Sequence, residues 1–279
     1  MTKNIFSQIL DRKREAVTQL RADPFSRDLR ERALEVRKNA ETHRLFRALE
    51  SNSPHPRIIA EFKRRSPSAG IIRADLTVSE IVRFYERGGA CAISVLTDEE
   101  YFGGSIADLC AARSSTNLPL LRKDFIIDPL QIFEAAIAGA DAVLLIVTAL
   151  DDTSLRELCS LAEGELGLDA LVEVHSSQEL HRAINAGAKI IGVNNRNLST
   201  FRVSLNTSEQ LVAKAPRDRI MVSESGLQDA KSLRSLQALG FRGFLIGEAL
   251  MRAADPETAL RDLVVAAEDR QPTAGSCQP

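Results

Sequence analysis

The sequence carries little that would commit it to a membrane, a nucleic acid, a metal or a redox cofactor. Its 36 basic side chains against 38 acidic ones leave a net charge of -2. That balance gives no electrostatic reason to expect nucleic acid or an anionic membrane as a partner. No apolar run approaches the ~20 residues that a bilayer span requires, and the N-terminus has no signal-peptide h-region. A cytoplasmic protein is expected. The four cysteines, Cys91, Cys110, Cys159 and Cys277, show neither CxxC nor ligand spacing. They read as reduced, mostly buried thiols and not as a disulfide framework or a zinc site. H-E-x-x-H, clustered Cys/His and a GxGxxG after a strand are all missing, so neither a metal nor an organic cofactor is expected.

What is present is ordinary globular composition, 44% apolar and 27% charged over 279 residues, enough for one large domain or two small ones. Residues 1–50 read as a helical extension. In "IFSQILDRKREAVTQL" the residues Ile5, Ile9, Leu10, Val17 and Leu20 gather near one face, with charges elsewhere. "SRDLRERALEV" continues in that style from a Ser26 cap. Acids are interspersed with the bases in both stretches, which marks solvated helix faces and not nucleic-acid patches. Asn52 to Pro56, rich in Ser and Pro, reads as a linker.

A rhythm then sets in. Short apolar runs recur at "RIIAEF", "ACAISVL", "LPLLRKDF", "DAVLLIV", "DALVEV", "KIIGVNN", "RIMVSES" and "RGFLIG". Between them lie amphipathic stretches such as "TVSEIVRFYERGGA", "PLQIFEAAIAGA" and "SSQELHRAINAGA", each closing on Gly-Ala as a helix stop. Strands alternating with helices mean parallel βαβ units. Eight of them over residues 51–265 predict an α/β fold, a single (β/α)8 TIM barrel with the N-terminal helical extension packed on it. A doubly wound open sheet lacks its usual glycine fingerprint here. Residues 266–279 form a polar, Pro/Gly-bearing tail that is expected to fray.

The polar residues then fall into a pattern. In a strand, side chains two apart share a face. Ile59, Glu61 and Lys63 share one; so do Leu121, Lys123 and Phe125; so do Leu171, Glu173 and His175; so do Gly192, Asn194 and Arg196; and so do Met221, Ser223 and Ser225. Each set is apolar early and polar late. In a barrel of this class the late ends carry the chemistry, so these residues are expected at the mouth of a pocket. Glu61 and Glu173 balance Lys63 and Lys123, a pairing that lets buried ions coexist and pushes their pKa values apart. Arg196 is left over as a planar fork for a carboxylate. Gly226 in "SESG" and Gly247 in "IGEAL" suit close backbone approach to a phosphate, helped by a helix N-terminus after Gly247.

These segments resemble the indole-3-glycerol phosphate synthase family. "IIAEFKRRSPSAG", "LLRKDFIID", "DAVLLIV", "LVEVH", "IGVNNRNL", "SESG" and "LIGEALM" carry the resemblance, and E-x-K-x-x-S-P-S followed by K-D-F is its specific part. The resemblance implies a carboxy-lyase of tryptophan biosynthesis. Such an enzyme converts 1-(2-carboxyphenylamino)-1-deoxyribulose 5-phosphate to indole-3-glycerol phosphate, CO2 and water, as a monomer acting on a small molecule. By resemblance, Lys123 is the general acid of ring closure, and Glu173 and Lys63 serve proton transfer in dehydration. Glu61 contacts substrate hydroxyls and steadies the lysines, and Asn194 and Arg196 orient the carboxylate and nearby hydroxyls. Ser66, Gly226, Gly247 and Glu248 match phosphate-loop positions, Ser225 a polar contact, and Phe102, Phe125 and Leu144 the walls of the anthranilate subsite. Two positions depart from many relatives: Ala69 stands where they carry Lys, and Glu248 where some carry Ser.

Taken singly, each residue has a plainer reading. Glu61 and Lys63 alone would be a surface ion pair, Phe102 and Phe125 would be core aromatics, and His175 reads as structural and not as a base. Another phosphosugar barrel of the same pathway, such as phosphoribosylanthranilate isomerase, is the nearest enzymatic alternative, though an Asp/Cys pair is expected there. A catalytically silent binder would have little use for so costly a set of buried charges.

Overall fold

The computed structural model describes residues 5–51, 53, 55–197 and 200–268. Eight parallel strands close into a barrel: β1 (Arg57–Phe62), β2 (Ala92–Leu96), β3 (Leu120–Lys123), β4 (Ala142–Ile146), β5 (Asp169–Val174), β6 (Ile190–Asn194), β7 (Ile220–Glu224) and β8 (Gly243–Ile246). Each pairs with its sequence neighbour, and β8 returns to β1 with Arg57 opposite Gly243. These are the eight apolar runs of the sequence, so the TIM barrel expected from the alternation is the fold observed.

Every strand divides its side chains between two cores. Ile58, Ala60 and Phe62 of β1 pack outward against the helices with Ile93, Val95, Val143 and Leu145. Ile59, Ala92, Leu121, Leu144, Leu171, Ile190, Val222 and Leu245 fill the barrel. Both sets are buried, which is why the strands read as continuous apolar runs without alternation. Most helices of the barrel start on side-chain caps, as where Thr77 and Glu80 form a reciprocal capping box at the start of α4 (Val78–Arg87). Three of them stop at Gly89, Gly139 and Gly187, whose φ values of 94°, 90° and 87° admit no ordinary side chain.

The extension closes the barrel at both ends. Helix α1 (Ile5–Ala22) places Ile5, Phe6 and Ile9 over the C-terminal mouth, where they join the lining of the main cavity. After a 3-10 turn (Pro24–Asp28), α2 (Leu29–Arg37) packs on the outside and α3 (Arg44–Glu50) plugs the other end. Fully buried Leu45 and Leu49 enter the barrel interior there. The Phe46 N–H donates to Asp169 at the start of β5, which fixes the plug to a strand end.

Three expectations are corrected. Ser26 is not a helix cap: Pro24 opens the 3-10 turn, Asp23 caps it by accepting from the Phe25 N–H, and the Ser26 hydroxyl donates back to the Leu20 carbonyl. On β7 the inward face is Ile220, Val222 and Glu224, not Met221 and Ser223, while Ser225, just past the strand, lines the cavity as expected. Met221 packs among the outer helices, and the Ser223 hydroxyl is taken up on that side by Asn195 and Ser208. Among the described cysteines, Cys91, Cys110 and Cys159 are free, but Cys110 is exposed instead of buried. Cys277 and the rest of the tail from residue 269 lie outside the described residues, as do Asn52 and Pro54 of the linker.

Candidate active site

The C-terminal mouth of the barrel opens into a cavity of about 690 Å³, a size suited to a ligand of several hundred daltons. At its floor, strand ends converge on one ammonium. Lys123 Nζ, at the end of β3, stands 3.6 Å from Glu173 Oε2 on β5 and 3.4 Å from Glu224 Oε2 on β7. Lys63 Nζ donates to Glu61 Oε1 of β1 at 2.7 Å. Asn194, last residue of β6, is opposite Glu224 in the sheet register. Glu61, Glu173 and Glu224 are 4%, 1% and 1% exposed. Three carboxylates and two ammoniums therefore share a nearly dry site, one negative charge out of balance.

That imbalance sets the protonation states. Burial pushes the Glu224 carboxyl up, Glu173 and Glu61 push it further, and the opposing Lys123 leaves it at about 8. Glu61 also suffers burial, but Lys63 and Lys123 outweigh it and hold the carboxyl below its usual range. For Lys123, burial works against the charge, while Glu224, Glu173 and Glu61 together raise its pKa above the ordinary lysine value. Lys123 is thus an ammonium that holds its proton at rest, with a protonated Glu224 beside it near neutrality.

Space for these groups is made by glycine. A Cβ on Gly192 of β6 would stand 2.1 Å from Glu224 Oε1, and one on Gly247 would stand 2.3 Å from Glu61 Oε1. Gly247 was expected to admit a phosphate; its missing side chain first admits the Glu61 carboxylate. Behind Glu173 sits His175, with Nε2 at 3.4 Å from Glu173 Oε1 and Nδ1 at 3.3 Å from Glu179 Oε2. Burial lowers the imidazole's pKa, but Glu179 and Glu173 outweigh it and raise it. His175 is not among the cavity-lining residues, and its position supports Glu173 from behind.

One side of the cavity is apolar. Phe125 lies between Phe102 and Phe6, with ring centroids 6.1 Å apart in both pairs, and Leu144 lines the wall below. The other side is polar backbone. Ser225 and Gly226 turn the chain after β7 with φ of 65° and 79°. The short helix Glu248–Arg252 starts at Gly247 with no side-chain cap, so no side chain takes up its first N–H groups. The Ser66 hydroxyl accepts from the Ala69 N–H at 3.2 Å in a small hairpin facing that turn. Arg196 is not left over: its Nη1 donates to Ser68 Oγ at 3.2 Å and to the Phe201 carbonyl at 3.4 Å, and Nη2 is 3.8 Å from Glu248. The Glu248 side chain pairs at once with Arg196 and with Arg252.

All fourteen residues singled out in the sequence as site candidates line this one cavity. A family model described as indole-3-glycerol phosphate synthase matches residues 6–263, nearly the whole described chain. The chain belongs to the indole-3-glycerol phosphate synthase family. Membership makes it an enzyme family member of the lyase type, in tryptophan biosynthesis. Solved structures repeat the barrel at low identity. Thiamine phosphate pyrophosphorylase from Pyrococcus furiosus is 20% identical with a TM-score of 0.58, over 76% of this chain and 95% of its own. The 3-hexulose-6-phosphate synthase from Salmonella typhimurium is 16% identical with a TM-score of 0.60, over 76% of this chain and 98% of its own. At such identities these two share the fold alone. No helix among the described residues is long and apolar enough to cross a membrane.

Two parts of the cavity lining escaped the sequence reading. Glu224 was hidden because both faces of "IMVSES" run from apolar to polar; its signal was a carboxylate within the last two residues of a strand, as on β1 and β5. Of the roof residues, Ile5 and Ile9 showed as part of a helix's apolar face and Phe6 was passed over, and nothing local told which surface that face would cover.

Proposed function

We propose that this family member is an indole-3-glycerol phosphate synthase in the full sense, acting on 1-(2-carboxyphenylamino)-1-deoxyribulose 5-phosphate. The observation that carries the reading is Lys123: a proton-holding ammonium among three buried glutamates, between an aromatic wall and an uncapped helix start. In this reading the anthranilate ring lies against Phe102, Phe125 and Leu144. The phosphate is held by Ser66, Ser225, Gly226 and the N–H groups that follow Gly247 at Glu248, and Arg196 with Asn194 orients the carboxylate and hydroxyls.

The chemistry then follows the charges. The ring carbon bearing the carboxylate attacks the ribulose carbonyl carbon, and the oxygen that gains the electron pair takes a proton from Lys123. Loss of CO2 returns the electron pair to the ring and restores its aromaticity. The new hydroxyl leaves as water with a proton from the enzyme while a second proton departs from the ring system. Lys63 and Glu173 serve that exchange, and Glu61, paired with Lys63, steadies the lysines. No step of this scheme calls for a metal or organic cofactor. Turnover should therefore be unaffected by a chelator.

The test is appearance of indole fluorescence on incubation with the carboxyphenylaminodeoxyribulose phosphate, with and without EDTA. The chain contains no tryptophan and only two tyrosines, so the product signal stands on a dark background. Parallel incubation with phosphoribosylanthranilate tests the isomerase alternative. Absence of product from the first substrate, or turnover of the second, would overturn the assignment.

A further inference from the structure

Beside the cavity wall lies a second charged cluster. Lys13 of α1 places Nζ 2.7 Å from Asp124 Oδ1 and 3.2 Å from Asp98 Oδ2, with the three side chains 13%, 1% and 6% exposed. Both carboxylates have further work. The same Asp124 oxygen accepts from the Phe125 N–H at 2.8 Å, and the other is held by the Thr97 hydroxyl and by Arg122. Asp98 Oδ1 accepts from the Tyr101 N–H at 2.8 Å and so caps α5 (Glu99–Phe102). One ammonium thereby ties three segments at a point: the roof helix, the short helix after β2, and the end of β3.

Each of those three segments delivers one ring of the aromatic wall. Phe6 comes from α1, Phe102 from α5, and Phe125 follows Asp124, with Phe125 in the middle of the row. Apolar contact alone is non-directional and would let a helix slide over the strand tops. A buried ammonium between two anchored carboxylates cannot slide without leaving charges unpaired. For stability alone, an apolar trio of the same volume would serve as well or better. The cost of burying three charges is explained if what is being fixed is the spacing of the rings.

We propose that Lys13 is a positioning residue that sets the aromatic wall, and hence the affinity for the aryl end of the substrate, without touching a reacting atom. This rests on the functional reading above for the identity of the aryl group.

The experiment measures three things on the parent, Lys13→Met, Lys13→Arg and Asp98→Asn: thermal midpoint, steady-state turnover, and binding of anthranilate and of inorganic phosphate as separate probes of the two ends. Lys13→Met should weaken anthranilate by about tenfold, the scale expected when a preorganised wall loosens. It should leave phosphate binding unchanged and raise KM more than it lowers kcat. Lys13→Arg, whose fork can reach both carboxylates, should restore most of the anthranilate affinity. Combined with Phe6→Leu, the Lys13→Met effect should be less than additive, because both act on the same row of rings. Parental anthranilate affinity in Lys13→Met, equal weakening of anthranilate and phosphate, or strict additivity with Phe6→Leu would each overturn the proposal. If Lys13→Met does not fold, Asp98→Asn carries the test: it keeps the α5 cap while discharging one end of the tie, and parental anthranilate affinity there overturns the proposal. A parent that fails to turn over the substrate would sink the functional reading; a normal parent with an indistinguishable variant would sink only the role of Lys13.

Discussion

Replacing Glu224 with Gln should stabilise the protein at alkaline pH and do little at acid pH. In the folded protein burial, aided by Glu173 and Glu61 and opposed by Lys123, holds this carboxyl at about 8. In the unfolded chain a glutamate titrates near ~4.3. Between those two pH values the folded protein keeps a proton that the unfolded chain has released, so stability falls as pH rises through the window. At about 1.4 kcal/mol per pH unit, the loss reaches a ceiling on the order of 5 kcal/mol above pH 8. Gln cannot ionise and escapes that loss. It returns part of the gain, because Lys123 gives up its partner at 3.4 Å and keeps Glu173 at 3.6 Å. A net gain of about 1–3 kcal/mol at pH 9 remains, which is a rise of roughly 3–10 °C in Tm for a domain of this size. Calorimetric scans of parent and Glu224→Gln at pH 5, 7 and 9 measure it. The gap should nearly close at pH 5 and widen upward. A gap that does not change with pH, or one in which the parent gains on the variant as pH rises, would refute the charge assignment at the barrel floor.

Other substitutions separate the remaining parts of the site. Lys123→Ala should lower kcat by about 10²–10⁴, the span of a general acid, with a modest change in KM, and Lys123→Arg should recover little because guanidinium is a poor proton donor; near-parental single-turnover indole formation by a folded Lys123→Ala protein would sink the mechanism. Arg196→Ala should act mainly on KM, by about tenfold or more, since an anchoring fork grips ground state and transition state alike; a collapse of kcat at constant KM would show that the arginine works on the chemistry instead. Gly192→Ala drives a methyl to 2.1 Å from Glu224 Oε1 and should cost about 1–3 kcal/mol as overpacking, with a fall in kcat; a parental Tm and kcat would mean that the floor is looser than its geometry.

The barrel was legible because its signal is repeated eight times and needs only local information. Each strand is an apolar run, each helix an amphipathic stretch with a cap and a glycine stop, and both are set by neighbours within a few residues. The site was legible where a strand's two faces differ in chemistry. On β1, Glu61 and Lys63 face in while Ala60 and Phe62 face out; on β5, Glu173 faces in between outward Val172 and Val174. β7 defeats that reading. In "IMVSES" the odd positions give Met, Ser, Ser and the even ones Ile, Val, Glu, so period two alone favours neither. What decides is register with the preceding strand, Asn194 opposite Glu224, and a polar nest outside the barrel. There Ser208 and Asn195 satisfy Ser223. A buried serine facing out looks, in sequence, like a polar residue facing in.

The same logic explains why the roof could not be foreseen and why it matters. Ile5 and Ile9 mark a helix face in the sequence, but Phe125, the partner of their neighbour Phe6, lies more than a hundred residues on, and no periodicity spans that distance. The mark of the docking was instead a misplaced charge: Lys13 stands one turn beyond Ile9, on the face that a helix meant only to cover a core would keep apolar. It is there because the helix must stop at one place over Asp98 and Asp124. Glu61, Lys63 and Lys123 are misplaced charges of the same kind on the strands. In this barrel a charge on a buried face is the most informative letter in the sequence, since burial makes an unpaired ion costly and so requires that a partner be waiting across the fold.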